Sequence, residues 1–419
     1  MIIEIRAKNC YIFDKQIVFS MKADMRQKKL SSNVHRENNF NVLKTAGIYG
    51  SNNSGKTCIV KCIYSIRQIL LNRKNISLIP NIFTDNKICE LGVTFLYDGR
   101  KFLYDFKVDV NDWKFVYEKF AENIKDQYSN EKEEVWLLRD DEHDEYFSAD
   151  DGVGRMLSLL AKDNLLIYLV DTGKFEKMNE MKQILTGFAE KIDILDMNTI
   201  SQKHTIEILK KGSRNKDKVV DLIKNADLYL EKLEYVESDL EIDDTASDKK
   251  EEIVKKIPES VLNQLYLVST YKGKEVPSIV FDSVGTQKIE ALASYIIEGL
   301  EQGRVLVVDE LDSSIHFKLT RAIVAMFNNE LNTNAQLIFT VHDINLMDCK
   351  KLMRKEQIWF THKDEDGVYV YSLADFKADD GVRDTSDIKE KYRKGVFGAV
   401  PEPDLINSLL DIKAGERRR

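Results

Sequence analysis

The sequence predicts an α/β nucleotide-binding fold carrying a mostly helical insertion. Three observations predict it. A complete phosphate-binding loop, Gly50-Ser51-Asn52-Asn53-Ser54-Gly55-Lys56-Thr57, stands between an apolar run and an amphipathic stretch. A second apolar run, Val305-Leu306-Val307-Val308, ends in the carboxylates Asp309 and Glu310. Between them, from about residue 113 to 268, the apolar residues change to helical spacing.

The loop has the residue types that a triphosphate requires. Residues 45–49 read as a strand and 58–71 as a helix, so the loop sits at a strand-to-helix turn. Two glycines permit a tight wrap, and the backbone N–H groups cradle the α- and β-phosphates. Lys56 reaches the β- and γ-phosphates, and the Thr57 hydroxyl faces a Mg²⁺ ion.

The flanking elements follow in chain order. Residues 2–8 and 16–21 alternate and read as a hairpin, and residues 22–41 are polar and irregular. Residues 90–97 and 101–108 flank Asp98-Gly99, a dipeptide favoured in tight hairpins. Helical spacing then marks 151–169, 174–192, 201–209 and 216–233, and an acidic run from 237 to 252 reads as a mobile loop. After it, residues 286–300 place Ile289, Leu292, Ala293, Ile296 and Leu300 on one helix face, ended by Gly303. Residues 305–308 are apolar on both faces, as a central parallel strand should be. A helix over 314–328, a strand over 336–340 and a late hairpin over 358–361 and 368–373 complete the chain. The expected organisation is an N-terminal lobe (1–112), a helical insertion (113–268) and a C-terminal lobe (269–419).

Composition narrows the class. At 419 residues, with 43% hydrophobic and 32% charged residues, the chain can bury a sizeable core, and no apolar run is long enough to span a membrane. The start is charged at once and lacks a signal-peptide apolar region. Five scattered cysteines without a Cys-x-x-Cys pair point to reduced thiols in a cytoplasm; Cys58 and Cys62 share a helix face and read as packing residues. A net charge of −8 gives no global pull towards nucleic acid. The basic clusters at 210–218 and 417–419 read as solvated segments.

Four further groups bear on chemistry. Asp309, at a strand's carboxyl end, can hold Mg²⁺ through water, and Glu310 can orient and deprotonate an attacking water. His342 follows the next strand, where a neutral imidazole can donate to a γ-phosphate. Ser283 and Gly285 open the 286–300 helix and make an anion site, with ordinary capping as the alternative. Asp312-Ser313-Ser314 has an equally plain reading as the cap of the next helix.

The order of these motifs resembles the ABC-type ATPase heads of the SMC and RecF superfamily. More closely it is similar to the compact prokaryotic AAA-family ATPases of abortive-infection and phage-defence loci, RloA-like proteins paired with RloB-like nucleases among them. The likeness extends to residues 102–108, 116–118, 335–346, 357–361, 371–373 and 398–401. It implies that Lys56 and Thr57 bind phosphates and Mg²⁺, that Asp309 lies on the metal's water shell, and that Glu310 is the general base. It further implies that Ser283 and Gly285 meet ATP on another subunit, with Asp312 across that interface and His342 sensing the γ-phosphate. Thr286-Gln287 replaces the longer Gly-Gly-Gln run of transporters, and no glutamine between loop and insertion is assigned to Mg²⁺.

The expected function is a Mg²⁺-dependent ATPase switch that associates head to head as a homodimer or larger homo-oligomer. It would control a separate effector, a nuclease or toxin from a neighbouring gene. A RecF-like DNA-repair ATPase that binds DNA and a nucleotide-gated scaffold with slow turnover are the alternatives. A nuclease built on Asp364-Glu365-Asp366 is disfavoured, because that triplet falls in a turn with too little chain after it.

Overall fold

Two kinds of apolar pattern separate the strands into two sheets in the computed structural model. It describes residues 1–73, 76–125, 131–210, 212–226, 229–236, 259–377, 379–383, 386–400, 405–407 and 412. Alternating strands build an antiparallel sheet of seven, in the order Glu145–Ser148, Glu131–Asp140, Lys114–Lys125, Arg100–Asp109, Ile88–Tyr97, Ile2–Lys8, Ile17–Ser20. The predicted Asp98-Gly99 turn joins two of them, with φ of 48° and 72°. Both central residues are left-handed, which suits the twist of the hairpin.

Continuously apolar strands build the second sheet, in the order Ile192–Asp196, Val305–Asp309, Gln336–Thr340, Thr45–Gly50, Ile358–Asp364, Gly367–Ser372. The first five run parallel and the last closes the late hairpin. The three central strands of this sheet are buried on both faces, and their period of two divides the residues between two cores. Val305, Val307 and Ile338 pack with the Lys56–Leu70 helix (Ile59, Ile63, Ile66) and, beyond it, with Phe95 and Phe102 of the antiparallel sheet. Leu306, Val308, Leu337 and Phe339 pack against the helices Val284–Gln302 and Phe317–Asn328. The loop helix is thus clamped between two sheets, which fixes the loop at its N-terminus.

The helical insertion expected from residue 113 does not begin there. Lys114–Lys125, Glu131–Asp140 and Glu145–Ser148 are strands of the antiparallel sheet. A bulge between Phe120 and Ala121 breaks their alternation, so the period of two is lost in the sequence. Ile192–Asp196, also inside that span, is an edge strand of the parallel sheet. Two short helices, Gly154–Leu157 and Leu166–Leu169, stand where one was expected. The helices Glu176–Glu190, Lys203–Lys210 and Lys216–Asn225 agree with the spacing. The last is followed by a strand, Lys232–Tyr235, which pairs with Leu267–Tyr271 and, through it, Lys274–Pro277 over a small core of Ile206, Leu209, Val219, Ile223 and Leu233. Residues 22–41 are not wholly irregular: Val34–Glu37 and Phe40–Leu43 pair around Asn38 and Asn39, both with positive φ. The acidic run 237–252 and residues 417–419 lie outside the described residues. No described helix is long and apolar enough to cross a membrane.

Candidate nucleotide site

Parallel strands send their carboxyl ends to one edge of a sheet, and ligands bind at that edge. Here Thr45–Gly50, Gln336–Thr340 and Val305–Asp309 are adjacent and parallel. Their ends deliver the phosphate loop, Thr340 with His342, and Asp309 with Glu310 to one place.

The loop wraps closely enough that its glycines have no room for a side chain. A Cβ on Gly50 would lie 2.3 Å from Thr361 Oγ1 and 2.5 Å from Ser54 Oγ. Gly55, at φ 109°, precedes the helix and packs on Ile12. Ser54 Oγ bonds Ser51 O at 2.8 Å and Thr361 Oγ1 at 2.6 Å, so the neighbouring strand braces the loop. Asn53 takes φ 61°, and Asn52, Asn53 and Thr57 are exposed at the mouth. Lys56 is 7% exposed, and its ammonium donates to Gly50 O at 2.8 Å and Ser51 O at 3.0 Å. Burial pulls its pKa below the ordinary lysine value, and the carboxylates of Asp309, Glu310 and Asp312 oppose that pull. A buried ammonium under a turn of backbone at a helix N-terminus fits the phosphate chain of a nucleotide. The exposed Thr57 hydroxyl and the Asp309 carboxylate are the oxygen donors that suit Mg²⁺.

One residue that sequence reasoning missed holds both carboxylate positions. Thr340 Oγ1 donates to Asp309 Oδ1 at 2.5 Å and accepts from the Glu310 N–H at 2.8 Å. Glu310 has φ 55°, a left-handed conformation uncommon for a non-glycine residue. Its Oε2 accepts from Asn198 Nδ2 at 2.9 Å, another contact not foreseen. Thr340 and Thr361 do share a signal: each is a hydroxyl placed at or near the end of a buried apolar strand, after Phe339 and Phe360. Asn198 has none, because its strand lay between two stretches of helical spacing, inside a block read as a mostly helical insertion.

Asp312 sits inside the chain's own turn. Its Oδ2 accepts from the backbone N–H groups of His342 at 2.9 Å and Asp343 at 2.8 Å, which fixes the segment after Thr340. It does not cap the next helix; His316 does, accepting from the Lys318 N–H. The His342 residue is exposed. Ser283 is the N-cap of Val284–Gln302, accepting from the Thr286 N–H at 3.2 Å, and it too is exposed. Gly285 lies against the turn after Glu310: a Cβ there would come 2.6 Å from Ser314 O.

A buried acidic pair supports the start of that helix. Asp282 accepts from Ser269 Oγ at 2.5 Å and Tyr271 OH at 2.6 Å. Glu290 is fully buried and accepts from Ser278 Oγ at 2.6 Å and from the Gln202 side chain. Its pKa is pushed up to about 8, first by burial and then by the charge of the nearby Asp282 carboxylate.

A family model described as "AAA domain, putative AbiEii toxin, Type IV TA system" matches residues 46–348. No curated protein matches. Among solved structures, the SmcHead bound to the C-winged helix domain of ScpA aligns at 12% identity over 91% of this chain and 99% of its own, with a TM-score of 0.44. The SMC head domain from Thermotoga maritima aligns at 10% identity over 88% and 98%, TM-score 0.42. The Smc head domain with an extended coiled coil, bound to the C-terminal domain of ScpA and derived from Pyrococcus furiosus, aligns at 14% over 88% and 96%, TM-score 0.38. The family model spans well over half of the chain and runs from the phosphate-loop strand to beyond His342, so the chain belongs to that AAA-domain family.

Proposed function

We propose that the chain is a Mg²⁺-dependent ATPase that works as a switch, closing head to head with a second copy when ATP is bound. The carrying observation is the convergence of the phosphate loop, Asp309–Glu310 and Thr340–His342 at the ends of three adjacent parallel strands. The loop N–H groups and Lys56 would grip the phosphates. Thr57 and Asp309 would hold Mg²⁺, which supplies positive charge where negative charge builds on the phosphates. Glu310 would take the proton of the attacking water, and His342 would hydrogen-bond the transferred phosphoryl group. Ser283 and Gly285 would complete the site on the partner's nucleotide, using an exposed cap and helix N-terminus. ATP then binds the closed pair better than the open one, which is what a switch needs.

The family description, with its toxin and toxin–antitoxin system, supports a role in abortive infection. The switch would control a separate effector of the nuclease or toxin class encoded nearby. The test is Glu310→Gln. It should retain ATP binding, lose hydrolysis and accumulate as a dimer in size-exclusion chromatography with light scattering. Hydrolysis at the wild-type rate would remove Glu310 as the base. A monomer at saturating ATP would remove the head-to-head pair. Co-expression with adjacent genes followed by pull-down tests the effector.

A further inference from the structure

We propose that Asn198 positions the Glu310 carboxylate and ties it, through Ser313 and Lys288, to the helix that begins at Ser283. The proposal rests on Glu310 being the base of the reaction read above. Asn198 Nδ2 donates to Glu310 Oε2 at 2.9 Å, and Asn198 Oδ1 accepts from Ser313 Oγ at 3.0 Å. Lys288 Nζ donates to Ser313 Oγ at 3.0 Å and to Ser313 O at 3.2 Å. An ammonium only donates and an ionised carboxylate only accepts. The Ser313 hydroxyl and the Asn198 amide between them therefore have one consistent orientation, and the chain is polarised from Lys288 to Glu310.

The backbone brings Asn198 there by register. Asp196 pairs with Asp309 in the parallel ladder, and Met197 N donates to Asp309 O at 3.1 Å. Asp196 then turns the chain: its Oδ1 accepts from Asn198 N at 2.8 Å and its carbonyl from Ile200 N at 2.8 Å. On the other side, Glu310 is held in its left-handed conformation by the Thr340 hydroxyl, and Leu311 N donates to Thr340 O at 3.0 Å. Main-chain bonds thus fix the base's backbone, and Asn198 sets its carboxylate. The close approach of Gly285 to Ser314 makes the turn and the helix move together. In a closed pair, where each Ser283 helix meets the other copy's nucleotide, that contact would reach the helix's own Glu310 through Lys288, Ser313 and Asn198.

The experiment measures steady-state ATP hydrolysis by the full chain against ATP concentration. Asn198→Ala should lower kcat about tenfold, the scale of one hydrogen bond to a charged group, with KM for ATP within about twofold. Lys288→Met should lower kcat less, again without moving KM. A merely structural asparagine would not lower kcat while leaving KM in place. Wild-type kcat in Asn198→Ala, or a loss confined to KM, overturns the positioning role while the ATPase reading stands. A wild-type chain that binds ATP and never turns it over overturns both.

Discussion

The two sheets bury charge in opposite ways. In the antiparallel sheet, Glu118 and Arg139 are 0% and 1% exposed and bonded to each other at 2.8 Å. Glu118 also accepts from Tyr104 OH at 2.8 Å and from Leu166 N, while Arg139 donates to Ala161 O and Asn164 O. Apart from Arg139 Nε, the pair is satisfied within the chain, and it ties the sheet to the short Leu166–Leu169 helix. At the edge of the parallel sheet, Asp309 is held at one oxygen by a hydroxyl and Glu310 at one oxygen by an amide. A framework charge has most of its valences filled by the chain, whereas a working charge is oriented and left able to take a ligand. Charge burial alone does not separate the two; the number of internal partners does.

The largest expected effect breaks the framework pair. Glu118→Ala leaves Arg139 buried and unpaired, which should cost about 3–5 kcal/mol of stability. A urea titration should show the midpoint falling by a corresponding amount. The nucleotide affinity of the folded protein should stay at the wild-type value, since Glu118 lies in the other sheet. An affinity that falls together with stability would mean that the two sheets are not separable in function.

A smaller effect sharpens the contrast within the catalytic lobe. Glu290 is buried like Glu118, yet it faces a carboxyl instead of a guanidinium. An ordinary Glu releases its proton near pH 4.5, and folded Glu290 holds it to about pH 8. Between those values the folded chain binds more protons than the unfolded one, so stability falls as pH rises, by at most about 1.4 kcal/mol per pH unit. Above about pH 8 this contribution levels off. Glu290→Gln keeps the hydrogen-bonding shape without the titration, so its stability should be flatter across that window. Chemical denaturation at pH 5, 6, 7 and 8 measures the slope. Equal slopes for both proteins would show that folded Glu290 does not hold its proton across that window.

The parallel sheet was the more legible of the two. Its strands carry unbroken apolar runs that end in chemistry, as Val305–Asp309 and the run before Gly50 do, and both signals are local. The outer strands of the antiparallel sheet were hidden. Phe120 and Trp136 point into the core, but the bulge at Phe120/Ala121 shifts the phase of the alternation. The supporting site residues were hidden for another reason. Asn198 and Thr361 meet Glu310 and the loop across 112 and 307 residues of sequence, and only strand order brings them near. An exposed asparagine after an edge strand has no periodicity to reveal it.

The smallest expected stability effect belongs to the residue with the largest expected effect on binding. The Lys56 ammonium is buried, as Arg139 is, but its acceptors are two loop carbonyls, and among the described residues no carboxylate is bonded to it. Burial lowers its pKa, a sign that holding the charge there is costly to the folded chain. Lys56→Ala removes that cost along with two hydrogen bonds, so stability should change by no more than about 1 kcal/mol. Affinity for a fluorescent ATP analogue should fall at least about a hundredfold, because the charged partner of the phosphates is gone. Glu118→Ala and Lys56→Ala would then be opposites, one losing stability and keeping affinity, the other the reverse. If Lys56→Ala instead unfolded the chain as readily as Glu118→Ala, the lysine would be a framework charge. The distinction between closed and open valences would then fail at the residue on which the nucleotide site depends.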